Sequence, residues 1–234
     1  MHINFHGGAF LIGAPQQDEH VVRLIAAEVG SVVINVDYSR APKVRFPHAH
    51  EECFDVLRWA AAAAAEQGWD GERITISGGS AGGNLALGAL ELARRAGGPA
   101  VCAAVLVVPA VDVSAPPSAY VSDIPNPFVG PSLVRTMQAA YFPDEAQRSD
   151  PLASPLLGNE EIDALPPLLI MTAEHDSLRK QQDRFIDKAL LHGVAVTFEC
   201  FPGVDHDFNL NEKTPAAVWD EFKVLVTRHL RSHL

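Results

Sequence analysis

The chain has 234 residues, enough for one domain with a full hydrophobic core, and its 47% hydrophobic and 20% charged residues are an ordinary globular balance. A net charge of −11 argues against nucleic acid or an anionic membrane as the main partner, because either would be repelled. No apolar run approaches the ~18 residues of a membrane span, and the N-terminus lacks a basic segment with a cleavage site. Cys53, Cys102 and Cys200 are far apart and show neither metal spacing nor a disulfide framework. Cys102 and Cys200 sit in apolar runs and are expected as buried thiols, which fits a reducing, cytoplasmic setting.

In chain order, the first strand candidate is His2 to His6, running into the glycine turn His6-Gly7-Gly8-Ala9-Phe10. Gln16 to Val29 reads as a helix, Ser31 to Asp37 as a strand, and His48 to Gln67 as a helix. Arg73 to Ser77 is a strand that meets Gly78-Gly79-Ser80-Ala81-Gly82-Gly83, and the helix Ala81 to Ala96 follows at once. After the strand Val101 to Val108, the segment Ala110 to Pro155 breaks the alternation. It carries many prolines and one helix candidate, Pro131 to Tyr141, and reads as a lid or substrate-pocket insertion. The strand Pro167 to Thr172, the helix Leu178 to His192, the strand Ala195 to Phe201 and the helix Thr214 to His233 complete the chain.

Strands alternating with helices predict an α/β fold with a mostly parallel sheet of about six strands and helices on both faces. The strand segments are rich in Val and Ile and nearly continuous in apolar character, as expected of strands buried on both sides. Residues 1–234 read as a single domain, with 110–155 as the insertion after the fourth strand.

Gly78-x-Ser80-x-Gly82 between a strand and a helix matches a nucleophile elbow, a sharp turn that lifts a serine hydroxyl above the sheet. The serine needs a base, and the base needs an orienting carboxylate. Both should follow Ser80 in chain order, on loops at the carboxyl ends of later strands. Asp176 lies just past one such strand, with Glu174 as its rival; Asp176 also suits the N-terminal cap of the next helix. His206 lies just past the last strand, and His175 and His192 are poorer bases. Backbone N–H groups near Gly7 and Gly8, together with that of Ala81, are candidate donors to a developing oxyanion.

These residues resemble the hormone-sensitive-lipase-like carboxylesterases of the α/β-hydrolase superfamily. The likeness rests on His6-Gly7-Gly8, Tyr38-Ser39-Arg40-Ala41-Pro42 with Phe46-Pro47, Gly78 to Gly83, Ser154-Pro155-Leu156, Leu165-Pro166-Pro167, Asp176-Ser177-Leu178-Arg179 and Asp205-His206-Asp207-Phe208. It implies Ser80, Asp176 and His206 as a catalytic triad and the N–H groups of Gly8, Ala9 and Ala81 as the oxyanion hole, with no metal or cofactor. Gly79 stands where the family has an aspartate, and Ala9 where it has a third glycine, whose methyl is expected to narrow the pocket. Family members carry two earlier strands and cap helices. Without them Ser31 to Asp37 becomes a sheet edge, which predicts cover from upstream residues or from a second subunit in a homodimer.

The expected activity is hydrolysis of small or short-to-medium acyl esters through an acyl-enzyme. Amide, arylformamide or thioester hydrolysis on the same residues, and a truncated or non-catalytic ligand-binding member, stay open at this level. Tyr120, Phe128, Met137, Tyr141 and Phe142 in the insertion suit either the substrate pocket or packing onto the core.

Overall fold

The six apolar segments become one parallel sheet in the computed structural model, which describes residues 1–234. The strands are β1 (His2–Phe5), β2 (Val33–Val36), β3 (Thr75–Gly79), β4 (Ala103–Val107), β5 (Leu168–Ala173) and β6 (Val196–Phe201), in the order β2-β1-β3-β4-β5-β6. Phe5 lies opposite Gly78, Gly79 opposite Val107, and Val107 opposite Met171. The carboxyl ends therefore finish side by side, at the edge where open parallel sheets place their ligands.

The helices are α1 (Glu19–Leu24), α2 (His48–Ala62), α3 (Ala64–Gln67), α4 (Ala81–Ala96), α5 (Pro131–Ala140), α6 (Glu145–Arg148), α7 (Glu160–Asp163), α8 (Arg179–Leu191) and α9 (Ala216–Ser232). Period-two alternation along the strands sorts them into two layers. Ala104, Leu106, Leu168 and Ile170 point into a core with α2, α4 and α8. Val105, Val107, Leu169 and Met171 point the other way, onto Val21 and Ile25 and onto Phe222, Val226 and Leu230 of α9. Close approach of α2 to α4 uses Gly88, where a Cβ would lie 2.5 Å from the His50 ring. No helix is long and apolar enough to cross a membrane.

Two expectations need correction. β6 is not buried on both faces: it is an edge strand, and Phe198 is 55% exposed. Cys102 and Cys200 are only partly buried, because Cys102 precedes β4 and Cys200 lies on that open edge. β2 forms the other edge, as the comparison with the family's strand order implies. The helix expected over 16–29 is composite: a 3-10 turn at Pro15–Asp18, then α1, then a π turn at Ile25–Val29 closed by left-handed Gly30.

The insertion is pinned to the body. Gln181 Oε1 accepts the N–H groups of Val111 and Asp112, while within the insertion Gln138 Nε2 donates to the carbonyls of Val113 and Ala115. Its aromatics divide by role. Tyr141 and Phe142 are fully buried, with Tyr141 stacked on Phe10 at 4.7 Å between ring centres, whereas Tyr120, Phe128 and Met137 line a cavity.

Candidate active site

Ser80 sits at the β3–α4 junction with φ 54° and ψ −115°, a conformation non-glycine residues rarely adopt. Packing holds it there. A Cβ on Gly78 would lie 2.2 Å from the Gly82 carbonyl oxygen, and one on Gly82 would lie 1.9 Å from that of Phe5. The backbone of β1 thus lies directly against the first turn of α4. The Ser80 N–H donates to the Val107 carbonyl at 2.8 Å, and the Ser80 carbonyl accepts from Ala110 N–H at 3.1 Å.

Three loops converge on the serine hydroxyl. Ser80 Oγ is 2.8 Å from His206 Nε2, and His206 Nδ1 is 2.8 Å from Asp176 Oδ2. His206 and Asp176 are each 4% exposed, so the hydrogen bond between them is shielded from water. Asp176 Oδ1 accepts Leu178 N–H at 2.9 Å, so the carboxylate also anchors the start of α8. Burial disfavours the imidazolium, but the charge of Asp176, joined by Asp205 and Asp207, outweighs it and raises the His206 pKa above its ordinary value. The rivals lie elsewhere: Glu174 accepts Gly203 N–H, His175 pairs with Asp123, and His192 pairs with Asp163.

Gln182 joins the site without a place among the sequence expectations. It is fully buried and donates through Nε2 to Asp176 Oδ2 at 2.9 Å, while its own Oε1 has no partner. The signal was a polar residue within the inward stripe Gln182, Phe185, Ile186 and Ala189 of α8.

The turn after β1 lies beside the serine. Gly8 has φ 119°, and a Cβ there would lie 2.0 Å from the Ile12 carbonyl oxygen. Ala9 and Phe10 also take left-handed φ, at 54° and 60°. His6 braces this turn: Nδ1 contacts the Gly7 carbonyl at 2.7 Å, and the ring stacks on Tyr38. The N–H groups of Gly8, Ala9 and Ala81 donate to no acceptor within the protein. Gly79, by contrast, is open: a Cβ there would meet nothing closer than 3.9 Å.

A cavity of about 210 Å³ runs from this turn past Ser80 to the insertion, walled by Val113, Tyr120, Phe128, Val134, Met137 and Leu178. The insertion is stitched over it. Ser122 Oγ donates to the His175 carbonyl, Ser177 Oγ donates to the Val129 carbonyl, and Phe128 N–H donates to Asp205 Oδ2. Asp205 Oδ1 accepts His206 N–H, so one carboxylate ties the insertion to the histidine loop.

A parallel sheet with a strained serine at a strand-to-helix turn and an apolar cavity above it defines an α/β-hydrolase. The family described by the alpha/beta hydrolase fold matches residues 2–210. Carboxylesterase NlhH of Mycobacterium tuberculosis is 31% identical over 223 residues, covering 92% of this chain and 68% of its own length. The arylesterase of Saccharolobus solfataricus is 34% identical over 199 residues, covering 82% of this chain and 62% of its own length. The solved structure of the thermophilic carboxylesterase EstE1 superposes with a TM-score of 0.91 at 31% identity, covering all of this chain (100%) and 80% of that one. The chain belongs to the hormone-sensitive-lipase-like carboxylesterases, and it spans about two thirds of the length of the curated relatives it matches. It is a carboxylesterase-type hydrolase.

Proposed function

We propose that the chain hydrolyses small or short-to-medium acyl esters with Ser80 as nucleophile, His206 as base and Asp176 as the orienting acid. The observation that carries this is the pair of 2.8 Å contacts running from Ser80 Oγ through His206 to Asp176. His206 Nε2 takes the hydroxyl proton as Ser80 Oγ attacks the ester carbonyl, and Asp176 stabilises the resulting imidazolium. The N–H groups of Gly8, Ala9 and Ala81 stabilise the oxyanion. Collapse of the tetrahedral intermediate breaks the C–O bond, and His206 gives its proton to the leaving alcohol. Water, deprotonated by His206, then attacks the acyl-enzyme and releases the acid and Ser80.

Residues 110–155 act in this reading as the substrate-pocket insertion of a single domain. The three free cysteines support a cytoplasmic setting.

Rapid mixing with p-nitrophenyl butyrate tests the mechanism. A burst of p-nitrophenol should accompany a butyryl mass increase on the peptide bearing Ser80, and both should vanish in Ser80→Ala. Full turnover by that variant would remove Ser80 from the chemistry.

A further inference from the structure

Beside Ser80 the cavity changes character. Away from the insertion its wall is polar, formed by Gln17, Asp18 and Asn209 around the open space at Gly79. Asn209 is only 8% exposed, yet its amide makes no hydrogen bond within the protein. Its Nδ2 lies 4.0 Å from where a Gly79 Cβ would sit, so the amide faces the gap that the missing side chain leaves. Asp18 is 5% exposed and has one oxygen held by Asn4 Nδ2 at 3.0 Å. Gln17 Nε2 and Ser80 Cβ each lie 3.6 Å from a Cβ built on Gly7, which places the polar wall within reach of a group near the scissile bond.

A side cavity of about 10 Å³ continues beneath Gly79, sharing Asp18, Gly79 and Asn209 with the main one and adding Asn4 and Ser77. That volume holds about one water-sized group. The Asn209 amide, nine-tenths buried and without a protein partner, is the group that a matching ligand atom would satisfy. The wall offers both donors, from the amides, and acceptors, from the Asp18 carboxyl. A hydroxyl uses both kinds. A methyl uses neither, and an ammonium leaves the amide donors unsatisfied.

We propose that this pocket is a hydroxyl subsite, and that the preferred substrates are esters carrying a hydroxyl close to the scissile carbonyl. This rests on the ester-hydrolase reading above. The hydroxyl belongs either to the acyl part, as in a hydroxy-acid ester, or to the alcohol part, as in a glycol monoester.

Two isosteric pairs separate the sources. Ethyl 3-hydroxybutyrate is compared with ethyl isovalerate, and 2-hydroxyethyl butyrate with propyl butyrate, by kcat/KM on the full chain. In each pair a methyl replaces the hydroxyl. One satisfied hydrogen bond corresponds to about a fivefold preference for the hydroxy ester, and an unpaired wall facing the methyl pushes it higher. The pair that shows the preference identifies which part of the substrate occupies the subsite.

Within that pair, Asn209→Leu should bring the ratio of hydroxy to methyl ester down toward one. Gly79→Ala, whose methyl meets only ordinary contacts, should lower the same ratio and keeps the test open should Asn209→Leu not fold. Ratios at or below one in both pairs overturn the subsite while leaving ester hydrolysis standing. So does a parental preference that both variants retain. No turnover of any of these esters overturns both readings.

Discussion

The Phe128 ring lies nearly parallel to the imidazole of His206, with centres 6.0 Å apart and planes inclined by 15°. Phe128 is 54% exposed while His206 is 4% exposed, so the aromatic ring acts as a cover between the histidine and solvent. Asp205 holds both ends of this arrangement, one carboxylate oxygen on each backbone N–H.

Phe128→Ala should therefore weaken substrate binding more than it slows the chemistry. Removing a half-buried ring from the cavity wall forfeits about 1 kcal/mol, or roughly a fivefold rise in KM. Steady-state kinetics on a short-chain ester measures the change. An unaltered KM with a depressed kcat would show that the ring acts on the histidine rather than on the substrate.

The raised pKa of His206 sets the sign of the pH response. In the proposed mechanism the neutral imidazole is the base, so activity should be lost as pH falls through the folded-state pKa, which lies above the ordinary value of ~6.5. A profile of kcat/KM from pH 5 to 9 should place the acidic midpoint above that value, and Asp176→Asn should move it downward. A midpoint at or below the ordinary value contradicts the pairing. The same shift makes the charged pair stabilising below the unfolded-state pKa, and this contribution disappears as pH rises through the folded one.

Gln182→Leu removes the buried amide donor to Asp176 and, with it, the carbonyl oxygen that has no partner. A hydrogen bond to a charged group contributes about 1.5–3 kcal/mol, so kcat should drop about tenfold or more. The change in stability should be small, because the unpaired oxygen leaves as well. Urea denaturation alongside kinetics separates the two effects. A large loss of stability with normal kcat would make Gln182 a packing residue only.

Gly82→Ala should destabilise the fold by about 3 kcal/mol or more, since its methyl would sit 1.9 Å from the rigid Phe5 carbonyl. Gly79→Ala is the contrast in stability, because its methyl enters open space. Thermal melts of the two variants should differ by many degrees. Equal melting temperatures would mean that β1 can move away from α4.

Much of this was legible because the repeating pattern and the turn chemistry agree. Ile74, Ile76, Leu168 and Ile170 mark strands, Ser80 announces its turn through Gly78 and Gly82, and Asp176 and His206 follow strand ends in the expected order. Gln182 shares an inward stripe with Phe185, Ile186 and Ala189, but its contact joins α8 back to the preceding loop, and local spacing does not show which group an inward amide meets. Phe128 was legible only as an aromatic with two uses. Its position over His206 depends on hydrogen bonds to Asp205 and from Ser177 that link distant loops. V-T-F-E-C-F is apolar enough to read as a central strand, whereas the edge position of β6 comes from the order of the whole sheet.

Ser80 and His206 are separated by 126 positions along the chain. In the proposed mechanism the elbow serine precedes its base by more than half the chain, so the hydroxyl is activated only once β6 and the loop beyond it are in place. Recovery of ester turnover after denaturation should therefore require the β6 side of the sheet as well as the elbow.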